Sequence, residues 1–115
     1  MTDPDCAFCK IFAREIAAQE VARTGDVLVF RDVAAQAPTH LLVIPKRHVA
    51  DLGDFVAEAD PTEVGDLFSA ASRAGRAASP TGYRVVVNEG PDAGQSVNHL
   101  HLHVLAGRML RWPPG

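Results

Sequence analysis

The feature that most constrains the fold of this chain is an alternating run at positions 98–105, Asn-His-Leu-His-Leu-His-Val-Leu, which holds three of the five histidines. Two residues is the side-chain period of a β-strand, so the run predicts a strand with His99, His101 and His103 on one face. The intervening aliphatic side chains then point into a core. Same-face neighbours lie about 6.5–7 Å apart, so adjacent imidazoles can serve one substrate or one metal ion.

Length and composition predict one domain spanning residues 1–115. With 47% hydrophobic residues the chain can bury a core. The net charge of -3 and the absence of a basic patch argue against a nucleic-acid partner. No apolar run approaches the roughly 18 residues of a membrane span, and the acidic start, Met1–Asp5, lacks a signal-peptide pattern. We therefore expect a cytoplasmic protein with no membrane partner.

The two cysteines lie close together, in the segment Cys6-Ala-Phe-Cys9. A secreted disulfide framework normally has more cysteines, spread more widely. The pair is typical of half a metal site or of a redox motif, and the thioredoxin-like context of a redox motif is not visible. Structural zinc often takes two Cys and two His ligands, and His48 and His99 are candidates for the other two. The alternative is a pair of buried thiols at the start of a helix.

The hydrophobic pattern predicts an α+β fold with an antiparallel meander sheet, because strands come first, then a main helix, then strands again. The main helix has the clearest start, since Asp60 is a typical N-cap and Pro61 suits the first helical position. The expected helices lie at about residues 6–14, 49–56 and 61–78. The expected strands lie at 21–23, 27–32, 40–44, 83–88 and 96–106.

A polar turn, Gly94-Gln-Ser96, directly precedes the histidines. Its backbone N–H groups and the Ser96 hydroxyl are able to hold an anion such as a phosphate. Because imidazole is a nucleophile near neutral pH, the combination favours phosphoryl or nucleotidyl transfer through a histidine-bound intermediate. We interpret His40 as a strand-end histidine satisfied by hydrogen bonds, Asp32 on its own as a turn residue, and Trp112 as a residue that packs at an interface.

These residues resemble a known family. The segment from His99 to Leu105 is similar to the His-φ-His-φ-His-φ-φ signature of the histidine-triad (HIT) superfamily. Other segments resemble its Hint branch, the histidine-triad nucleotide-binding proteins, and they lie at residues 30–32, 36–46, 87–90, 94–97 and 112–115. The resemblance implies an α+β HIT-like fold whose sheet continues across a homodimer. It also implies binding of purine nucleoside monophosphates and hydrolysis of nucleoside 5′-phosphoramidates through a nucleotidyl-histidine intermediate.

The resemblance assigns the chemistry to three residues. His101 is the nucleophile that attacks the α-phosphorus, His103 contacts the phosphate, and Ser96 hydrogen-bonds near the leaving group. The other implied nucleotide contacts are Asn88 and Gly94 to the phosphate, Asp32 to the ribose hydroxyls, and Phe8, Ile11, Ile16, Phe30 and Leu42 to the base.

The resemblance also implies a structural zinc ion, held by Cys6, Cys9, His48 and His99, which leaves His101 free. Two segments depart from the animal-type Hint proteins, namely Asn98 and the tail at residues 108–111. In this branch the tail borders the leaving group, so the difference in the tail bears on amine specificity.

Three alternatives stay open at this point. A metallohydrolase could use His99 and His101 as ligands of a catalytic zinc, although no HExxH-type motif supports it. A nucleotide sensor or dimeric interaction module could keep the pocket without turnover. Dinucleoside polyphosphate hydrolysis belongs to another branch of the superfamily, and the Trp-Pro-Pro-Gly ending at residues 112–115 points away from it.

Overall fold

A computed structural model describes residues 3–115 of the chain. This part of the chain forms three α-helices, five β-strands and one 3₁₀ turn. The helices are α1 (Ala7–Phe12), α2 (Leu52–Glu58) and α3 (Pro61–Ala78), and the 3₁₀ turn is Pro91–Ala93. The strands are β1 (Glu20–Arg23), β2 (Val27–Arg31), β3 (Thr39–Pro45), β4 (Arg84–Val86) and β5 (Leu102–Ala106).

The strands form a single antiparallel sheet in the order β1-β2-β3-β5-β4, which confirms the α+β class expected from the sequence. The first three strands form a meander. The helices α2 and α3 then carry the chain to the edge strand β4, and β5 returns between β3 and β4. The strand β5, which contains the last of the three histidines, is therefore an interior strand, and Leu42 of β3 stands opposite His103 of β5.

The two faces of the sheet carry different clusters of apolar side chains, as the period-two alternation of strand residues requires. One face packs against α2 and α3 and forms the main core, in which Phe55, Leu67 and Ala71 of the helices are buried. The other face packs against α1, where Phe8 is buried. Burial of each large side chain contributes about 1.5–3 kcal/mol to folding. The strand residues of this second cluster are Leu28, Phe30, Leu42 and Ile44.

The main helix α3 begins and ends as its sequence indicates. The carboxylate of Asp60 accepts a hydrogen bond from the backbone N–H of Glu63 at 2.8 Å, so the expected N-cap is confirmed. The carboxylate of Glu63 also accepts two hydrogen bonds from the guanidinium of Arg47, at 2.6 and 2.8 Å. Within residues 3–115, none of the helices has the length and apolar character needed to cross a membrane.

The histidine run differs in one respect from its prediction. A strand over residues 96–106 was expected, but β5 contains only Leu102–Ala106, so His99 and His101 precede it. The physical reason is that the backbone N–H of Leu100 donates to Val49 O, at 2.8 Å, outside the sheet. The expected alternation of faces is nevertheless confirmed, since Leu100 lies in the main core while His101 contacts the rings of Phe8 and His103. The expected strand at 83–88 is likewise shorter, as β4 shows.

Candidate functional site

A cavity of about 920 Å³ opens on the α1 side of the sheet. The strands β2, β3 and β5 supply both apolar and ionisable side chains to its lining, and α1 forms one wall. Residues of the two loops at 17–19 and 33–38 border it. A site with an apolar lining and a few convergent polar groups is typical of small-ligand binding. The predicted nucleotide-contact residues that line it are Phe8, Ile11, Phe30, Asp32, Leu42, Ser96, His101 and His103.

Three predicted contacts lie outside this lining: Ile16, Asn88 and Gly94. The side chain of Ile16 is exposed to solvent. The backbone N–H of Gly94 donates to Pro91 O at 3.0 Å, within the 3₁₀ turn. This N–H is therefore already used, and of the polar turn at 94–96 only Ser96 faces the cavity.

The hydrogen bond of His101 determines which of its ring nitrogens is free. Its Nδ1 lies 2.8 Å from the backbone oxygen of His99. A carbonyl oxygen can only accept, so Nδ1 carries the proton and donates, and in the neutral ring Nε2 keeps its lone pair. The ring is buried and lines the cavity, with Phe8 edge-on at a centroid distance of 5.2 Å. A buried imidazole held in this tautomer is suited to act as a nucleophile through Nε2.

A chain of hydrogen bonds orients His103 in the same way. The backbone N–H of Gln36 donates to His40 Nδ1 at 3.0 Å, so the proton of neutral His40 is on Nε2. That Nε2–H donates to His103 Nδ1 at 2.9 Å and lies 3.4 Å from an Asp32 carboxylate oxygen. The proton of neutral His103 is consequently on Nε2, where it can be donated to a ligand in the cavity.

The protonation of His103 follows from its surroundings. Burial and, to a smaller extent, the neighbouring His101 and His40 lower its pKa to about 4, while Asp32 opposes them. The ring is therefore neutral at pH 7 and serves as a hydrogen-bond donor rather than as a cation. The interpretation of His40 as a hydrogen-bonded histidine is confirmed, but its place in the cavity was not inferred from the sequence. The available signal was its spacing of two from Leu42, which puts both on one face of β3.

Asp32, His40 and His103 also lie close enough together to be considered as ligands of one cation. The hydrogen bond from the Gln36 N–H argues against this arrangement. It requires a lone pair on His40 Nδ1, and a metal at Nε2 would require a second lone pair, which neutral imidazole does not have. These three side chains are therefore better described as a hydrogen-bonded relay.

A second group of four side chains, the Cys/His cluster, consists of Cys6, Cys9, His48 and His99. The Nδ1 atom of His99 lies 3.3 Å from Cys6 Sγ, 3.6 Å from Cys9 Sγ and 3.2 Å from His48 Nδ1. Cys9 Sγ lies 3.5 Å from His48 Nδ1. Tetrahedral zinc with ordinary bond lengths gives S–N edges of about 3.6 Å and N–N edges of about 3.3 Å. These four separations are close to those edges, and all four donor atoms lie within 4.8 Å of one another, so the cluster fits a tetrahedral zinc ion.

The hydrogen bonds around the Cys/His cluster leave the right atoms free for a metal. His99 Nε2–H donates to Pro45 O at 3.0 Å, so Nδ1 keeps its lone pair toward the sulfurs. Burial lowers the pKa of His99 to about 4, which keeps the ring neutral. Burial also raises the pKa of the Cys9 thiol, and a bound cation reverses that preference by stabilising the thiolate. His101 belongs to neither candidate group among the described residues, so a catalytic zinc shared by His99 and His101 is not supported.

An antiparallel α+β sheet that presents a buried histidine with a free Nε2 to a cavity suits a protein that binds a small ligand. The comparison with known families identifies the family. The HIT domain family model matches residues 13–110, and the chain belongs to this family.

Similar proteins agree with this assignment. An uncharacterised HIT-like protein from Synechococcus elongatus is 47% identical over 111 residues, which cover 96% of this chain and 97% of that protein. The crystal structure of a HIT family hydrolase from Legionella pneumophila superposes with a TM-score of 0.91 at 43% identity, over 96% of this chain and 100% of that one. A histidine triad protein from Clostridium difficile gives a TM-score of 0.85 at 38% identity, over 96% and 97% of the two chains.

Proposed function

We propose that this protein is a purine nucleoside phosphoramidase, which hydrolyses nucleoside 5′-phosphoramidates to the nucleoside monophosphate and an amine. The observation that carries the proposal is the hydrogen bond from His101 Nδ1–H to His99 O, which leaves Nε2 as a lone pair in the cavity. Membership of the HIT family and the likeness to a HIT family hydrolase support a hydrolase of this class.

The first step is attack by His101 Nε2 on the α-phosphorus. A bond forms between Nε2 and phosphorus, the bond from phosphorus to the amine nitrogen breaks, and the amine leaves with a proton from solvent. In the second step water attacks phosphorus, the Nε2–phosphorus bond breaks, and His101 returns as neutral imidazole while the water proton goes to solvent. This covalent route divides one difficult displacement into two easier ones. The Nε2–H of His103 donates to a phosphate oxygen in both steps, and Ser96 offers a hydroxyl beside the leaving group.

The rest of the cavity suits a nucleoside. Within residues 3–115, each carboxylate oxygen of Asp32 has one partner, the Ala34 N–H at 2.9 Å or the His40 Nε2 at 3.4 Å. Since each oxygen accepts two hydrogen bonds, one position on each remains for a ribose hydroxyl. The apolar side chains Phe8 and Phe30 offer faces and edges for an aromatic base.

Two further features complete the proposal. When bound, zinc at the Cys/His cluster supplies structural cross-linking, because the cluster joins α1 to the end of β3 and to the segment before β5. We also propose a homodimer in which the sheet continues through the edge strand β4, whose Val85 is partly exposed, as is Phe68 of α3. Light scattering after size-exclusion chromatography measures this state, and a monomer at micromolar concentration would contradict it.

The test is release of AMP from adenosine 5′-phosphoramidate by the wild type and by His101→Ala. We expect turnover to fall by at least about a thousandfold in the variant, with AMP binding retained in calorimetry. The control is Gly65→Ala in α3, which lies outside both the cavity lining and the Cys/His cluster and should keep wild-type turnover. Equal turnover in wild type and His101→Ala would remove His101 from the mechanism. AMP binding without turnover in either protein would favour a nucleotide sensor, and cleavage of a dinucleoside polyphosphate in preference to the phosphoramidate would favour the other HIT activity.

A further inference from the structure

The helix α1 takes part in both candidate sites at once. Its N-cap residue Cys6 and its third residue Cys9 supply the two sulfurs of the Cys/His cluster. Two other residues of the same stretch, Phe8 and Ile11, line the cavity. The helix has only six residues. An interaction that fixes its backbone therefore fixes the position of the metal ligands and of the cavity wall at the same time.

Phe8 is the side chain that joins the two sites. Its ring meets His99 of the Cys/His cluster edge-on at a centroid distance of 5.8 Å, and His101 at 5.2 Å. It also meets Phe30 of the cavity lining edge-on at 5.8 Å. The ring is buried and closes one side of the nucleotide cavity while resting on a cluster ligand.

The two ends of α1 are held by different interactions. At its last turn, the guanidinium of Arg23 donates to Phe12 O at 2.9 Å and stacks on the Phe12 ring at 4.7 Å. At its first turn, the Cys6 N–H donates to Asp3 O at 3.1 Å, and the Cys9 N–H donates weakly, at 3.4 Å, to Cys6 Sγ, one of the cluster's own ligands. Isolated helices shorter than about 12 residues are marginal in water. The first turn, which carries Phe8, therefore depends on the cluster more than the last turn does.

We propose that metal binding at the Cys/His cluster and nucleotide binding in the cavity are coupled through the first turn of α1, with Phe8 as the positioning residue. The proposal rests on the proposed function, in which the cavity takes a purine nucleoside monophosphate. A metal ion on Cys6 and Cys9 fixes the turn, and the fixed turn places the Phe8 ring against the base. A bound base holds the ring, and the ring holds the turn in the geometry that the metal needs. Such coupling is reciprocal, so each ligand raises the affinity for the other by the same factor.

The experiment measures both affinities. The zinc affinity is obtained by competition with a chromophoric chelator, with and without saturating AMP, and a protein-free titration corrects for zinc bound by AMP itself. The AMP affinity is obtained by calorimetry on zinc-loaded and zinc-free protein. We expect each ligand to tighten the other by about 5- to 100-fold, with the same factor in both directions. A factor of one in either direction would overturn the proposal.

Two matched variants locate the coupling. Phe8→Ala removes the ring and keeps all four cluster ligands, so we expect AMP binding that is weak and the same with and without zinc. Asp32→Asn also weakens a contact proposed for the nucleotide, but Asp32 lies outside the apolar cluster that contains Phe8. It should weaken AMP binding and leave the coupling factor as in the wild type. Loss of coupling in both variants, or in neither, would contradict a role for Phe8.

Hydrogen exchange separates a local effect from global unfolding. On removal of zinc we expect the amides of Cys9 and Lys10, which donate to Cys6 Sγ and Cys6 O, to lose protection while the amides of β2, β3 and β5 keep theirs. Loss of protection throughout the chain would instead make the coupling a consequence of folding and would overturn the role of α1. If zinc-loaded protein binds no AMP, the proposed function fails. If the protein releases AMP from the phosphoramidate and binds AMP with the same affinity with and without zinc, the proposed function stands and only the coupling is wrong.

Discussion

The relay from Asp32 through His40 to His103 predicts that two similar substitutions at His40 have different effects on activity. Asparagine places its side-chain oxygen near the position of Nδ1 and can still accept from the Gln36 N–H, but it has no donor for His103. Glutamine places its amide nitrogen near the position of Nε2 and can still donate to His103 Nδ1. Both substitutions remove the ring, so a difference between them reports on the hydrogen bond rather than on packing.

The expected size of the difference follows from the geometry. The bond from His40 Nε2–H to His103 Nδ1 is 2.9 Å long and largely shielded from water, and such a bond is worth about 0.5–1.5 kcal/mol. Without it the proton of His103 is free to move to Nδ1, and the donor to the phosphate is lost in part of the molecules. We therefore expect kcat of His40→Asn to be about two- to tenfold below that of His40→Gln, with a smaller difference in KM.

The assay is AMP release from adenosine 5′-phosphoramidate, together with the ¹⁵N shifts of the His103 ring, which distinguish its tautomers. His40→Gln should keep the Nε2–H tautomer, and His40→Asn should show a mixture. Equal kcat values combined with equal His103 shifts would refute the argument that His40 sets the tautomer. A matched loss of melting temperature in the two variants is expected, since both lose the same ring.

Three further predictions concern stability. Gly75→Ala in α3 places a methyl group 2.3 Å from the ring of Tyr83 and should lower the free energy of unfolding by about 1–3 kcal/mol. Gly65→Ala in the same helix meets no described atom within 4 Å and should raise it by about 0.5–1 kcal/mol. Urea unfolding measures both changes, and changes of equal sign would contradict the packing. The hydrogen bonds from Arg47 hold the pKa of Glu63 below its usual value, so their contribution to stability is complete above the ordinary carboxyl pKa and is lost as the pH falls through the folded-state value. The loss of stability on acidification should therefore be smaller in Glu63→Gln, and identical pH profiles would show that the pair contributes nothing. Chelation of zinc at pH 7 should lower the melting temperature in calorimetry, because the Cys/His cluster joins α1 to the sheet, and an unchanged value in protein shown to have lost zinc would contradict this cross-link.

Local features of the sequence predicted much of the fold. The N-cap of α3 was identified from the Asp60-Pro61 pair because capping depends only on neighbouring residues. The first three strands were placed by their apolar runs and by the turn at residues 24–26. The length of β5 was overestimated because alternation indicates an extended backbone, whereas membership of a sheet also requires a partner strand. Pairing with β4 ends at His103 and pairing with β3 ends at Leu102, and the Leu100 N–H donates to Val49 O instead.

The site was predicted only in part, for a related reason. Eight of the expected nucleotide contacts face the cavity. They could be expected because the resemblance to the family assigns contacts by position in the sequence. Gly94 does not face it, since the hydrogen bond of its N–H to Pro91 O depends on how the turn closes. His40 was interpreted from its immediate neighbours alone, and its role in the cavity comes from a partner that lies 63 residues away in the chain.

The sequence by itself determined which face each histidine occupies, because a period of two is a property of the extended backbone and needs no partner. It also determined the residue types available for a zinc ion and for a nucleophile. Only the tertiary structure decided which ring nitrogen of His101 and His103 is free, because a tautomer depends on what lies at hydrogen-bond distance from the other nitrogen. That distance is set by the register of β3 against β5 and by the carbonyl of His99, which are long-range and three-dimensional features of the chain.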